Sequence, residues 1–104
     1  MAFYSAVLGT AVLRQSGVGQ EFGLLPGYDK GVSGCLSAGP DQVPSHHGPL
    51  VYLSVNGRLD AAVAAAVAAH GKVIQPKIAI GAHGFRAIIE DSEGNRIALH
   101  SMSA

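Results

Sequence analysis

A segment rich in proline, glycine and serine divides the 104-residue chain into two halves, and this division is the strongest constraint on the fold. Residues 39–49 contain three prolines and two glycines, and they show no apolar periodicity. A chain of this length is sufficient for one domain only, so we expect the two halves to be parts of a single domain. Its expected parts are a front module at 1–38, a linker at 39–49 and a back module at 50–104.

The back module predicts a strand, a helix and three further strands. The predicted elements are strands at 50–55, 72–75, 84–90 and 96–100, a helix at 59–70 and a hairpin loop at 91–95. Pro76 is expected to end the second of these strands. The order of elements is therefore βαβββ.

The helix at 59–70 contains seven alanines and has a high helical propensity. Leu59, Val63 and Val67 recur every four residues, and we expect these side chains to form its buried stripe. Asn56 is a candidate cap for its first turn and Gly71 for its last.

The front module predicts the same order without an opening strand. A short helix at 2–8 ends at Gly9, and strands are expected near 11–15, 20–25 and 31–37. The order αβββ followed by βαβββ is a repeat at half the chain length.

Three stretches of the chain carry a family resemblance. They are Ala2-Phe3-Tyr4-Ser5-Ala6-Val7-Leu8-Gly9, Leu59-Asp60-Ala61-Ala62 and Asp91-Ser92-Glu93-Gly94-Asn95-Arg96-Ile97-Ala98-Leu99. With the repeated element order, they resemble the glyoxalase/bleomycin resistance/dioxygenase superfamily, also called the vicinal oxygen chelate superfamily. The resemblance implies an α+β fold in which two βαβββ modules, the first truncated here to αβββ, form an open, cupped mixed sheet.

The resemblance also implies a small-molecule site in the cup, often with a divalent metal. The metal ligands of the family are His, Gln or Glu from the first and last strands of each module. The matching positions in the back module are Leu50 and Ala98, whose side chains have no donor atom. The expected strand at 31–37 has no carboxylate or histidine either. We therefore predict no cofactor, although the resemblance keeps a divalent metal as an alternative.

Strand alternation predicts which side chains line the cup. If the hairpin loop has five residues and pairs Glu90 with Arg96, Arg86 lies opposite His100, whereas a slip of one residue would invert the two faces. The side chains expected to face the helices are Val51, Leu53, Val55, Ile97 and Leu99. The candidate ligand-binding residues, expected to face the cup, are Leu50, Tyr52, Ser54, Arg86, Ile88, Ala98 and His100.

Two of these candidates have side chains suited to a polar ligand group. Arg86 is expected to bind an anion with its guanidinium fork, and His100 to donate a hydrogen bond or move a proton. The alternative is that Arg86, Glu90 and Arg96 are surface charges in weak ion pairs. In that case His100 frays at the end of its strand.

Charge and cysteine content exclude several classes of protein. Seven basic and seven acidic side chains cancel, so no excess charge is available to bind nucleic acid or an anionic membrane. The single cysteine, Cys35, excludes an internal disulfide and a cysteine-based zinc site, and we expect it in the core. Without a membrane-length apolar run or a signal segment, a cytoplasmic location is expected. A charged fraction of 13% and the missing opening strand favour a homodimer.

Three functions are compatible with these features. The favoured one is a metal-free protein that binds an apolar or weakly anionic small molecule in the cup. The alternatives are a metal-dependent lyase, isomerase or dioxygenase of the same superfamily, and a dimeric scaffold without a ligand. Because the fold does not choose among them, the sequence leaves open whether the protein is an enzyme.

Overall fold

The order of helices and strands confirms the predicted α+β fold in the computed structural model, which describes residues 2–17, 20–26, 34–37 and 43–104. The front module contains helix α1 (Ala2–Leu8) and strands β1 (Leu13–Gly17), β2 (Gln20–Leu24) and β3 (Cys35–Ser37). The back module contains β4 (Val51–Ser54), α2 (Leu59–Ala68), β5 (Lys72–Ala79), β6 (Phe85–Glu90) and β7 (Arg96–Ser101). A 3-10 turn, Gly81–His83, joins β5 to β6. Of the strand expected at 31–37, residues 31–33 lie outside the described part.

The strands form two sheets. β1, β2 and β3 make a three-stranded antiparallel sheet. The second sheet has four strands in the order β4-β7-β6-β5, with β4 parallel to β7 and the other neighbours antiparallel. The hairpin register is as predicted, since Glu90 pairs with Arg96 and Arg86 with His100. Within the described residues no helix is long and apolar enough to cross a membrane.

The core lies on one face of the four-stranded sheet, where α2 packs on the strands and α1 packs on α2. The buried stripe predicted for α2 is wrong in part: Leu59 is buried, but Val67 is 53% exposed. Ala62 and Ala66 are fully buried instead. Their small side chains allow the helix to approach the sheet closely, and the bulkier valine is left on the outside.

The beginning of α2 is stabilised differently from the prediction. Its N-cap residue is Arg58, which makes no side-chain cap bond. Instead, Arg58 Nη1 donates to the carbonyl oxygen of Val7 at 2.6 Å, so the guanidinium ties the C-terminal end of α1 to the start of α2. The Oδ1 atom of Asn56, the expected cap, accepts from the backbone N–H of Met102 at 2.7 Å.

The end of α2 is a Schellman motif shifted by one residue from the predicted cap. His70 adopts the left-handed conformation with φ of 77°, and the N–H of Gly71 donates to the Ala66 carbonyl at 2.8 Å. Glycine is nevertheless required at position 71. A Cβ there would lie 2.7 Å from the carbonyl oxygen of Glu90 and 2.7 Å from Cε2 of Phe3.

Strand β5 continues through Pro76, contrary to the prediction that this proline ends it. β5 is the edge strand of its sheet, and its pairing with β6 is irregular on both sides of Gln75. Proline has no N–H to donate, and an edge strand with a register shift does not need one. The longer strand places Ile80 and the 3-10 turn beside the end of the sheet.

A buried hydrogen-bond cluster joins α1 to the β6–β7 loop. The Tyr4 hydroxyl donates to Asp91 Oδ2 at 2.5 Å, and the backbone N–H groups of Glu93 and Asn95 donate to Asp91 Oδ1 at 2.9 Å each. Burial acts to raise the pKa of Asp91, but these hydrogen bonds outweigh it and hold the pKa below its ordinary value. Burial and the bond to Asp91 raise the pKa of Tyr4. Tyr4 and Asp91 therefore form a joint between two of the three stretches that carry the family resemblance.

Candidate functional site

The face of the four-stranded sheet opposite the helices carries six of the seven candidate residues. The register aligns side chains in two rows across β4, β7 and β6. One row is Ser54, His100 and Arg86, and the other is Tyr52, Ala98 and Ile88. Leu50, the seventh candidate, immediately precedes β4 and is half-buried.

A cleft of about 450 Å³ opens at one end of this face. Its walls are formed by Tyr52, Leu53, Ser54, Ile80, His83 and His100. Three candidates, Tyr52, Ser54 and His100, therefore come together in one cleft. The other four are not part of its wall.

Three residues of the cleft wall, Leu53, Ile80 and His83, were not among the seven sequence candidates. Ile80 was missed because Pro76 was expected to end β5, and no sequence signal placed residues 77–80 near the cup. Leu53 was expected on the helix side, and it does pack against the core, but it also borders the cleft.

A hydrogen-bonded network stands directly beside the cleft. Arg86 Nη1 donates to the Tyr52 hydroxyl oxygen at 2.9 Å, and Arg86 Nη2 donates to Gln75 Oε1 at 3.0 Å. The bond between Tyr52 on β4 and Arg86 on β6 crosses the intervening strand β7. Ala98, the partner of Tyr52 on β7, is fully buried.

The charge of Arg86 has no acidic partner in the part of the chain that the structure describes. The ion pairs there join Glu90 to His46 at 2.9 Å and to Lys72 at 3.9 Å, and Lys77 to Asp60. The Nε atom of Arg86 is buried and makes no hydrogen bond. Thus Glu90 fits the alternative of weak surface pairs, whereas Arg86 is a half-buried cation with no counter-charge among the described residues.

His100 is held in the strand and its ring is oriented by the turn before β6. Its backbone carbonyl accepts from Val55 N–H at 2.8 Å, and its Nε2 lies 2.6 Å from the carbonyl oxygen of His83. A carbonyl only accepts, so Nε2 carries a proton and neutral His100 keeps its lone pair on Nδ1. The turn is fixed by a bond from Ile80 N–H to Gly84 O at 2.8 Å.

The residues at the family's metal-ligand positions do not fit a divalent metal. Leu50 and Ala98 offer no nitrogen or oxygen from their side chains, and Ala98 is fully buried. Among the described residues no group of three or more His, Cys, Asp or Glu side chains is arranged to hold a metal ion. The Nε2 atom of His100 is engaged with His83.

A second cavity, of about 710 Å³, opens on the other side of β4. Phe3, Val51 and Ile97 contribute to its apolar wall, and Cys35 borders it. Cys35 is exposed, so the expectation of a core position is wrong. The reason is that Cys35 lies on β3, the edge strand of the three-stranded sheet, whereas the core forms where α2 packs on the four-stranded sheet.

The fold is a three-stranded antiparallel sheet and a four-stranded mixed sheet, with α2 packed on the four-stranded sheet and α1 packed on α2, and it defines the class of protein. As predicted, the chain resembles the glyoxalase/bleomycin resistance/dioxygenase superfamily, both in sequence and in fold. It is 36% identical over 95 residues to the protein named "Putative glyoxylase CFP32" in Mycobacterium bovis and in Mycobacterium tuberculosis. The alignment covers 90% of this chain and 35% of each relative, so the chain spans about a third of their length.

Solved structures share the fold at lower sequence identity. A glyoxalase/bleomycin resistance protein from Albidiferax ferrireducens T118 aligns with a TM-score of 0.63 at 21% identity, covering 96% of this chain and 84% of that one. A glyoxalase/bleomycin resistance protein/dioxygenase family enzyme from Burkholderia phytofirmans PsJN aligns with a TM-score of 0.65 at 18% identity, covering 97% and 86%. No protein-family model matches the chain.

Proposed function

We propose that the protein binds a small, mostly apolar molecule in the cleft beside Tyr52, without the metal of its superfamily. The observation that carries this proposal is the cleft itself, a concave site of about 450 Å³ with aliphatic side chains and a few convergent polar groups. Leu53 and Ile80 supply apolar surface, while Ser54 and His100 supply hydrogen-bonding groups. This composition suits an organic compound better than an ion.

Support for the absence of a metal comes from the donor set. A divalent ion needs several nitrogen or oxygen ligands that converge on one point, and Leu50 and Ala98 remove two of them. His83 and His100 are the imidazoles at the cleft, and two imidazoles alone do not complete a site.

The test has two parts. In the first, the protein is purified without chelator and its divalent metals are measured by plasma mass spectrometry, where we expect far less than one equivalent per chain. In the second, unfolding is followed by thermal shift against hydrophobic acids and antibiotics. At least one compound should raise the melting temperature in proportion to the logarithm of its concentration.

The alternatives correspond to other outcomes. A stoichiometric divalent metal favours a metal-dependent lyase, isomerase or dioxygenase, and the glyoxylase name of the mycobacterial relatives points in that direction. No stabilisation by any compound favours a scaffold without a ligand. The homodimer and the cytoplasmic location stay predictions, which light scattering and fractionation test.

A further inference from the structure

We propose that the Tyr52 hydroxyl, oriented by Arg86, binds an oxyanion of the ligand, so that the ligand class is a small apolar carboxylic acid. This inference rests on the proposed function, because it names the chemistry of the molecule that the cleft holds. Arg86 is the positioning residue in this arrangement, and Tyr52 makes the contact.

The orientation of the Tyr52 hydroxyl group favours a ligand that accepts a hydrogen bond. The phenolic oxygen already accepts a hydrogen bond from Arg86 Nη1 at 2.9 Å, so the hydroxyl hydrogen points away from the guanidinium. No acceptor for it is present among the described residues. Because Tyr52 lines the cleft and its side chain is 47% exposed, an acceptor supplied by a ligand is within reach.

The positive charge of the Arg86 guanidinium lies behind the Tyr52 hydroxyl and favours an anionic ligand. Gln75 holds the guanidinium from the other side at 3.0 Å, which fixes its position across β7. Arg86 is a half-buried cation with no acidic partner in the described part of the chain, and such a cation favours a nearby negative charge, since Coulomb attraction is stronger there than in water. A carboxylate in the cleft supplies that charge.

The pair of Tyr52 and Arg86 lies where the family resemblance implies a metal. The bond between Tyr52 and Arg86 spans strand β7, whose Ala98 is the residue that the family resemblance matches to a metal ligand. A fixed guanidinium therefore provides a positive charge beside the cleft. Leu53 and Ile80 form the apolar wall that contacts the rest of the ligand.

The experiment compares two probes of the same shape, 2-naphthoate and the neutral 2-naphthamide, by isothermal titration calorimetry. Wild-type protein should bind the naphthoate at least about 10-fold more tightly, as a hydrogen bond to a charged group predicts. Tyr52→Phe should weaken naphthoate binding about 10-fold, and Arg86→Gln should abolish the preference for the acid. Arg86→Lys should keep part of it, because the charge remains without the fork.

Arg96→Gln is the matched control, since it removes a positive charge from the same sheet outside the cleft wall, and it should leave both affinities unchanged. Circular dichroism checks that each variant is folded, and Tyr52→Phe, at an exposed side chain, keeps the test valid if Arg86→Gln unfolds. Equal binding of the two probes, or a preference that survives loss of the Tyr52 hydroxyl, overturns the inference and leaves the proposed function intact. Binding of neither probe overturns the inference, whereas the proposed function fails only if the wider ligand screen is also negative.

Discussion

The joint between Tyr4 and Asp91 gives the sharpest prediction about stability. Tyr4→Phe removes one hydroxyl and with it the 2.5 Å hydrogen bond to a carboxylate that is 4% exposed. A hydrogen bond to a buried charged group contributes roughly 1.5–3 kcal/mol, and Asp91 keeps its bonds from Glu93 and Asn95. We therefore expect the free energy of unfolding to fall by about 2 kcal/mol, and the melting temperature by roughly 10 °C for a chain of this size.

The same joint predicts a pH dependence. The pKa of Asp91 in the folded protein lies below its ordinary value. Its contribution to stability is thus fully present above the unfolded pKa of about 3.9 and is lost as the pH falls through the folded pKa. The cost of Tyr4→Phe should therefore be largest at neutral pH and should shrink below about pH 4.

Urea unfolding followed by circular dichroism at pH 7 and pH 3 measures both effects. Tyr52→Phe is the control, because it deletes the same hydroxyl at an exposed position and should cost less than about 1 kcal/mol. A Tyr4→Phe protein as stable as the wild type at pH 7, or a cost that is equal at the two pH values, would refute this explanation of the joint.

Three further predictions concern packing and exposure. Gly71→Ala should destabilise the protein by roughly 1–3 kcal/mol in urea unfolding, because its Cβ would collide with Glu90 and Phe3. An unchanged stability would contradict the close approach of Glu90 and Phe3 to Gly71. On α2, Ala66→Leu should lower the free energy of unfolding by roughly 1–3 kcal/mol, whereas Val67→Ser, at an exposed position, should lower it by less than about 0.5 kcal/mol. The reverse order would indicate that Val67 is buried, as the sequence predicted. Cys35 should react with a maleimide or Ellman's reagent in the native protein as fast as in urea, and native protection would contradict its exposure.

Local sequence signals were sufficient for the order of elements and for the hairpin register. With a loop of the five residues 91–95, the pairing of Arg86 with His100 follows from counting residues, and the structure has that register. Alternation then placed Tyr52 and Ser54 on the same face as His100. These are short-range properties, and the sequence contains them directly.

The errors arise where tertiary packing overrides a local preference. Val67 has the more hydrophobic side chain, but the sheet accepts only the small Ala62 and Ala66 beneath α2. Pro76 interrupts a strand in isolation, yet it is tolerated at the edge of this sheet. The bond between Tyr52 and Arg86 joins residues 34 positions apart, and no sequence pattern specifies it.

The location of the bound molecule is the most direct test of the proposed cleft. Heteronuclear NMR spectra of isotope-labelled protein, recorded during titration with 2-naphthoate, report which backbone amides lie near the probe. We expect the largest shift changes at Tyr52, Ser54, His83 and His100, with little change around Cys35 and Val43. Changes concentrated instead around Cys35 and Val43 would place the ligand in the larger cavity on the other side of β4 and contradict the account.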